Sequence, residues 1–288
     1  MFLNKFKNDF EESPLIITSP HSGTIYPQSF LENLESDISY CKSIEDMFVD
    51  ELIENNEYID SIVFHKAHLS RAVIDLNRKH SELDISQIKG KLNFETENTR
   101  YVRSGIGLIP TNTPLGKLKY KKILSSETIA NLINEYYFPW HEELQKLIKY
   151  KLEKFGRAFI LDCHSMPSID IPSKVSLNLK DIVLGNCKGI SCSKENINFV
   201  KDLFIENKFS VELNNPYSGG FITQNYHDIS QNIETLQIEI RRDLYMDELS
   251  FRKNHNFEKI KENLFEIINS FNLKLINDYD SKVMLAAQ

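Results

Sequence analysis

The feature that most constrains this chain is a set of short, continuous apolar runs, each ending in polar or reactive residues. Leu15-Ile16-Ile17-Thr18 leads into Ser19-Pro20-His21-Ser22-Gly23, and Ala158-Phe159-Ile160-Leu161 into Asp162-Cys163-His164-Ser165. Leu236-Gln237-Ile238-Glu239-Ile240 leads into Arg241-Arg242. Ile62-Val63-Phe64, Ala72-Val73-Ile74 and Asp181-Ile182-Val183-Leu184-Gly185 are further strand candidates. Runs that stay apolar at successive positions suit strands covered on both faces. Helical stripes lie between them. Ile44, Met47, Phe48 and Leu52 share one face behind Ser43 as an N-cap, and Ile197, Val200 and Phe204 share another behind Ser193. Phe257, Ile260, Leu264, Ile267, Ile268 and Phe271 form a long third stripe. Residues 126–153 are also helical in pattern, with Pro139 expected to kink or split them. Strands alternating with helices predict an α/β sandwich around a largely parallel sheet.

Composition narrows the function. The 288 residues hold 41% apolar and 26% charged side chains, globular values that exclude a disordered chain. Without repeats or a Pro/Gly/Ser-rich linker, one domain over 1–288 is the simplest reading. A net charge of −7 and no dense basic run argue against nucleic acid or an anionic membrane as the main partner. No run approaches the ~18 apolar residues of a membrane span. The acidic residues among the first dozen do not fit a secretion signal. Cys41, Cys163, Cys187 and Cys192 include no CxxC pair and read as reduced thiols. A cytoplasmic setting is expected, and the oligomeric state is not readable.

Open α/β sheets bind ligands at the carboxyl ends of their strands, which selects His21, Asp162, His164, Glu239, Arg241 and Arg242. The early helix adds Glu45, Asp46 and Asp50. Two imidazoles, a carboxylate and a further glutamate are the parts of a mononuclear catalytic zinc site, three ligands with one position left for water. The residues alone leave plainer readings open. A histidine after a strand can simply bond backbone, and Asp46 can be the acidic partner of a cap at Ser43. Glu239 can pair with Arg78 or Arg241. His65 and His68, an HxxH, read as ordinary.

Seven blocks in order over roughly 14–250 resemble the N-formylglutamate amidohydrolase family. They are Ser19-Pro20-His21-Ser22-Gly23, Glu45-Asp46-Met47-Phe48-Val49-Asp50-Glu51-Leu52, Ser70-Arg71-Ala72-Val73-Ile74-Asp75-Leu76-Asn77-Arg78 and Phe138-Pro139-Trp140-His141. Asp162-Cys163-His164-Ser165-Met166-Pro167-Ser168, Asn215-Pro216-Tyr217-Ser218-Gly219-Gly220-Phe221-Ile222-Thr223 and Gln237-Ile238-Glu239-Ile240-Arg241-Arg242 complete the set. The resemblance implies a three-layer α/β/α sandwich around a mixed, largely parallel sheet, like the zinc carboxypeptidases (phosphorylase/hydrolase-like). It implies hydrolysis of a linear amide, with N-formyl-L-glutamate and water giving glutamate and formate in histidine degradation. His21, Asp46 and His164 would hold one Zn2+ or another divalent ion, with Glu45 as the substitute for Asp46. Glu239 would be the general base acting on metal-activated water. An acidic N-acyl substrate needs cations, for which Arg71 and Arg78, flanking a possible strand, are suited by their bidentate forks. Asn77 could assist, and Gly219-Gly220 would let backbone approach a ligand. Two other readings compete: a metallo-amidase or carboxypeptidase-like hydrolase of another N-acyl amino acid or peptide, and a non-catalytic binder of acidic metabolites.

Overall fold

A computed structural model describes residues 13–54 and 62–286, with side chains described through 279. The first dozen residues, whose composition does not fit a secretion signal, lie outside the described residues. Six strands form the central sheet: β1 (Leu15–Ser19), β2 (Val63–Lys66), β3 (Ala158–Met166), β4 (Ile182–Gly185), β5 (Val211–Leu213) and β6 (Ile233–Arg241). Their order is β5-β4-β6-β3-β1-β2. β2, β1, β3 and β6 run parallel; β4 turns antiparallel against β6, and β5 follows β4. The sheet is mixed and largely parallel, with helices on both sides, as the sequence predicts.

Side-chain alternation divides the strands between two cores. Phe159, Leu161 and Cys163 of β3, with Leu236, Ile238 and Ile240 of β6, face one side. There they pack against α5 (Lys194–Glu206) and α6 (Phe257–Ala286), whose stripes carry Val200, Phe204, Leu264, Ile268 and Phe271. Ser193 caps α5, its hydroxyl accepting from the Asn196 amide. On the other side Ile16, Ala158 and Ile160 pack against α3 (Ser126–Leu132) and α4 (Phe138–Phe155), through Ile129, Trp140, Leu144 and Leu147. The expected break at Pro139 takes the form of a π turn, Ile133–Tyr137. The proline ring would otherwise crowd the carbonyl four residues back, and the wider turn relieves it.

Three expectations fail for local reasons. Ser43 does not cap a helix. It lies inside α1 (Ile38–Ile44), which Asp37 caps, and a second short helix, α2 (Val49–Ile53), starts only after Phe48 at φ +66°. The chain between them, Glu45 to Phe48, is irregular. Ala72-Val73-Ile74 forms a buried turn instead of a strand, since three apolar residues cannot by themselves distinguish the two. Asp162 and His164 belong to β3 itself rather than following it. Among the described residues all four cysteines are free thiols, and no helix is long and apolar enough to cross a membrane.

Candidate active site

The site grows from one face of two neighbouring strands. Along β3, Ala158 and Ile160 give way to Asp162 and His164 on the same face; along β6, Thr235 is followed by Gln237 and Glu239. The register sets Gln237 opposite Asp162 and Glu239 opposite His164. His21 arrives just past β1, and Asp46 from the irregular turn after α1, where its amide donates to the His21 carbonyl at 3.0 Å. The three converge. His21 Nδ1 and His164 Nδ1 lie 3.1 Å apart, and Asp46 Oδ2 lies 3.3 Å from the first and 3.0 Å from the second.

What stands behind them decides the protonation. Asp75 Oδ1 accepts from His21 Nε2 at 2.7 Å, and Asp162 Oδ2 from His164 Nε2 at 3.0 Å. Both acids are fully buried. Carboxylates that hold the Nε2 protons leave both Nδ1 lone pairs aimed at each other and at Asp46, an arrangement of acceptors that requires a cation. The field agrees. Burial opposes charge on His164, yet Asp162, Asp46 and Glu239 raise the affinity of its imidazole for a cation, so that a proton or a metal ion can sit on the Nδ1 lone pair. Asp46 is buried too, but contacts with His164 and His21 keep its carboxyl well below the carboxylate norm. Tetrahedral zinc at 2.0–2.1 Å from its ligands would place them about 3.3–3.4 Å apart, close to the spacing here. Among the described residues His21, Asp46 and His164 are the only group so disposed to hold a metal ion. The donor set fits a divalent cation.

Asp46 is itself oriented: its Oδ1 accepts from Ser165 Oγ at 3.1 Å and Arg242 Nη2 at 3.2 Å. Glu45, the proposed substitute, takes no part. Its carboxylate accepts from Tyr26 and Ser70, because the turn that aims Asp46 inward sends its neighbour to the other side. Glu239 lies buried beside the trio, and burial pushes its carboxyl up to about 7. It pairs with neither suggested arginine. Arg78 donates to the Ile106 and Asn77 carbonyls and stacks on Tyr101, while Arg241 pairs with Asp181 and Asp243. His65 bonds the Trp140 carbonyl at 3.0 Å, away from the trio.

A cleft of about 520 Å³ joins these groups, lined by His21, Asp46, His164, Glu239, Arg71, Asn77, Arg78, Gly219 and Gly220 together with Arg100, Tyr101, Tyr217, Gln237 and Arg242. Arg71 is largely committed already, donating to Asp75 Oδ2 at 2.5 Å and to the Ile44 carbonyl at 3.2 Å. Asn77 accepts from the Ile222 amide at 2.7 Å, and its Nδ2 lies 3.2 Å from His164 Nε2. A Cβ on Gly220 would stand 2.3 Å from that same side chain, so the backbone there needs glycine. The sequence reading missed the roles of Asp75, Arg242 and Gln237. Asp75 had a signal, since Arg71 precedes it by four residues; Arg242 had only its place after a strand.

Comparison with known proteins agrees in kind. Residues 13–246 match the family model described as N-formylglutamate amidohydrolase. N-formylglutamate deformylases of Pseudomonas putida and Pseudomonas aeruginosa are each 27% identical, over 82% of this chain and 82% and 83% of theirs. The crystal structure of N-formylglutamate amidohydrolase from Ralstonia eutropha superposes with a TM-score of 0.83 at 28% identity, covering 94% of this chain and 95% of that one. Gene product Atu2144 of Agrobacterium tumefaciens shares the fold, with a TM-score of 0.58 at 15% identity over 94% and 92%.

Proposed function

Because the chain belongs to the N-formylglutamate amidohydrolase family, we propose that it is a metal-dependent hydrolase of N-formyl-L-glutamate, releasing formate and glutamate from a single domain. The observation that carries this reading is the trio His21, Asp46 and His164 beside Glu239 in one cleft. A divalent ion held by the trio supplies Lewis-acid polarisation of a carbonyl oxygen and a water whose pKa falls towards neutrality. Zinc is the first choice, although imidazole and carboxylate ligands admit other divalent metals.

The chain's own residues do the rest. Asp75 and Asp162 hold the Nε2 protons, so the two Nδ1 atoms stay free as donors of lone pairs. Arg242 and Ser165 fix the direction of Asp46. Glu239, poised near pH 7, takes the proton from water and gives it to the departing amine nitrogen. Charge supports an acidic substrate. Arg71, Arg78, Arg100 and Arg242 in the cleft balance Asp46, Glu239 and the two buried acids behind the histidines. A divalent ion then leaves an excess of two positive charges, which suits the two carboxylates of N-formylglutamate. Arg78, which lines the cleft, would bind one of them.

The test is formate release by metal-replete protein from N-formyl-L-glutamate, with N-acetyl-L-glutamate and neutral N-formyl amino acids in parallel. Chelator-sensitive turnover of N-formyl-L-glutamate alone is expected. Turnover that survives exhaustive chelation would remove the metal from the reaction, and a preference for neutral substrates would overturn the substrate.

A further inference from the structure

We propose that Gln237 is a positioning residue that ties the general base Glu239 to the Gly219–Gly220 turn. The two side chains lie two residues apart on one face of β6, buried to 4% and 7% exposure. Gly220 donates its amide to Gln237 Oε1 at 2.6 Å, and Gln237 Nε2 donates to Glu239 Oε1 at 2.8 Å. A backbone N–H is only a donor, so the atom facing it must be the amide oxygen, and the NH2 group must face Glu239. The amide cannot flip without breaking both bonds. Only a carboxamide offers one fixed acceptor and one fixed donor in this way.

The surrounding backbone is shaped for the contact. Opposite Gln237, β4 carries Gly185, and a Cβ there would stand 2.8 Å from Ser218 C and 2.9 Å from Gly219 N. The missing side chain lets the 218–220 segment lie against the sheet beside Gln237. From the other side Asn77 takes the Ile222 amide, and the Cys187 amide donates to the Ser218 carbonyl at 2.7 Å. The turn is thus held on both flanks, and Gln237 transmits its position to one oxygen of Glu239. Among the described residues Oε2 has no hydrogen bond, which leaves it to exchange protons in the cleft. This inference rests on Glu239 as the base.

The experiment is a double-mutant cycle on metal-replete enzyme with N-formyl-L-glutamate. Gln237→Met keeps the volume and removes both bonds. Its kcat is expected to fall about 10–100-fold, with KM and bound metal per chain within threefold of the parent. In a Glu239→Gln background the same change should cost less than threefold, because the group through which Gln237 acts has gone. A loss of tenfold or more in both backgrounds, a raised KM with kcat unchanged, or a single-variant loss below threefold would each overturn the role. Gln237→Asn, whose shorter arm cannot span both partners, gives the same test should Gln237→Met not fold. Near-normal turnover by Glu239→Gln alone would instead refute the assignment of the base, an outcome separate from these.

Discussion

β3 and β6 present two faces of unlike character. On the α5/α6 side their middles are apolar, Phe159, Leu161 and Cys163 beside Leu236, Ile238 and Ile240, with Glu234 at the start of β6 and Ser165 near the end of β3. On the other side the same strands begin apolar, at Ala158 and Ile160, and end in Asp162, His164, Gln237 and Glu239. One backbone register serves both. The dry face holds the strands in place by burial, and the polar half of the opposite face inherits that precision. Buried carboxylates and imidazoles are costly unless each finds a partner. Here they do, in the chain Arg71–Asp75–His21 and the pair Asp162–His164.

The sharpest break in this division comes from Glu239→Gln on the polar face. It should lower kcat by about 10²–10⁴-fold while bound metal and the midpoint of thermal unfolding stay near the parent values; a variant that loses its metal would show Glu239 to be structural. Phe159→Ala on the dry face should do the reverse. Truncating this fully buried ring should cost about 3–5 kcal/mol in chemical denaturation, with kcat per folded molecule unchanged. A large drop in kcat at full folding would show that the two faces are not separable. Asp75→Asn tests the support behind the trio, with an expected 10–100-fold loss of metal affinity by competitive chelation.

The smallest effect per residue sharpens the contrast among imidazoles. His65 and His141 are buried, bonding the Trp140 carbonyl and the Tyr226 hydroxyl, and burial lowers them to about 4 and about 3. Their folded pKa lies below the unfolded value of about 6.5, so the unfolded chain binds protons first on acidification. Stability is therefore full above pH 6.5 and is lost as pH falls towards 4 and 3, at up to about 1.4 kcal/mol per unit for each imidazole. Denaturation midpoints of His65→Gln and His141→Gln across pH 7 to 5 should fall less steeply than those of the parent; parallel slopes would reject the assignment.

Much of this was legible in the sequence for a physical reason. Strands buried on both faces must be apolar at successive positions, so β1, β3, β4 and β6 announce themselves, and a glutamate inside such a run stands out. β5 does not, because this edge strand is three residues long and only half-buried. His21, His164 and Glu239 were singled out by their place after or within strands, Asp46 by its place on an expected early helix, and all four by family likeness. The choice between Glu45 and Asp46 was not readable, since it depends on the irregular turn between two short helices. The residues behind them were dim for a related reason: Arg242 reaches Asp46 across 196 residues of chain and Gln237 reaches Gly220 across 17, and no periodicity marks such pairs.

The trio has one more consequence. Asp46 lies 25 residues from His21 and 118 from His164. An ion gripped by all three would be a removable cross-link, closing two large rings of chain as a pair of disulfides does and withdrawing freedom mainly from the unfolded state. Cation concentration would then set the rigidity of the molecule as well as its activity. The stretch from Glu45 to Phe48, which belongs to no regular element, is the natural place for that tether to slacken first.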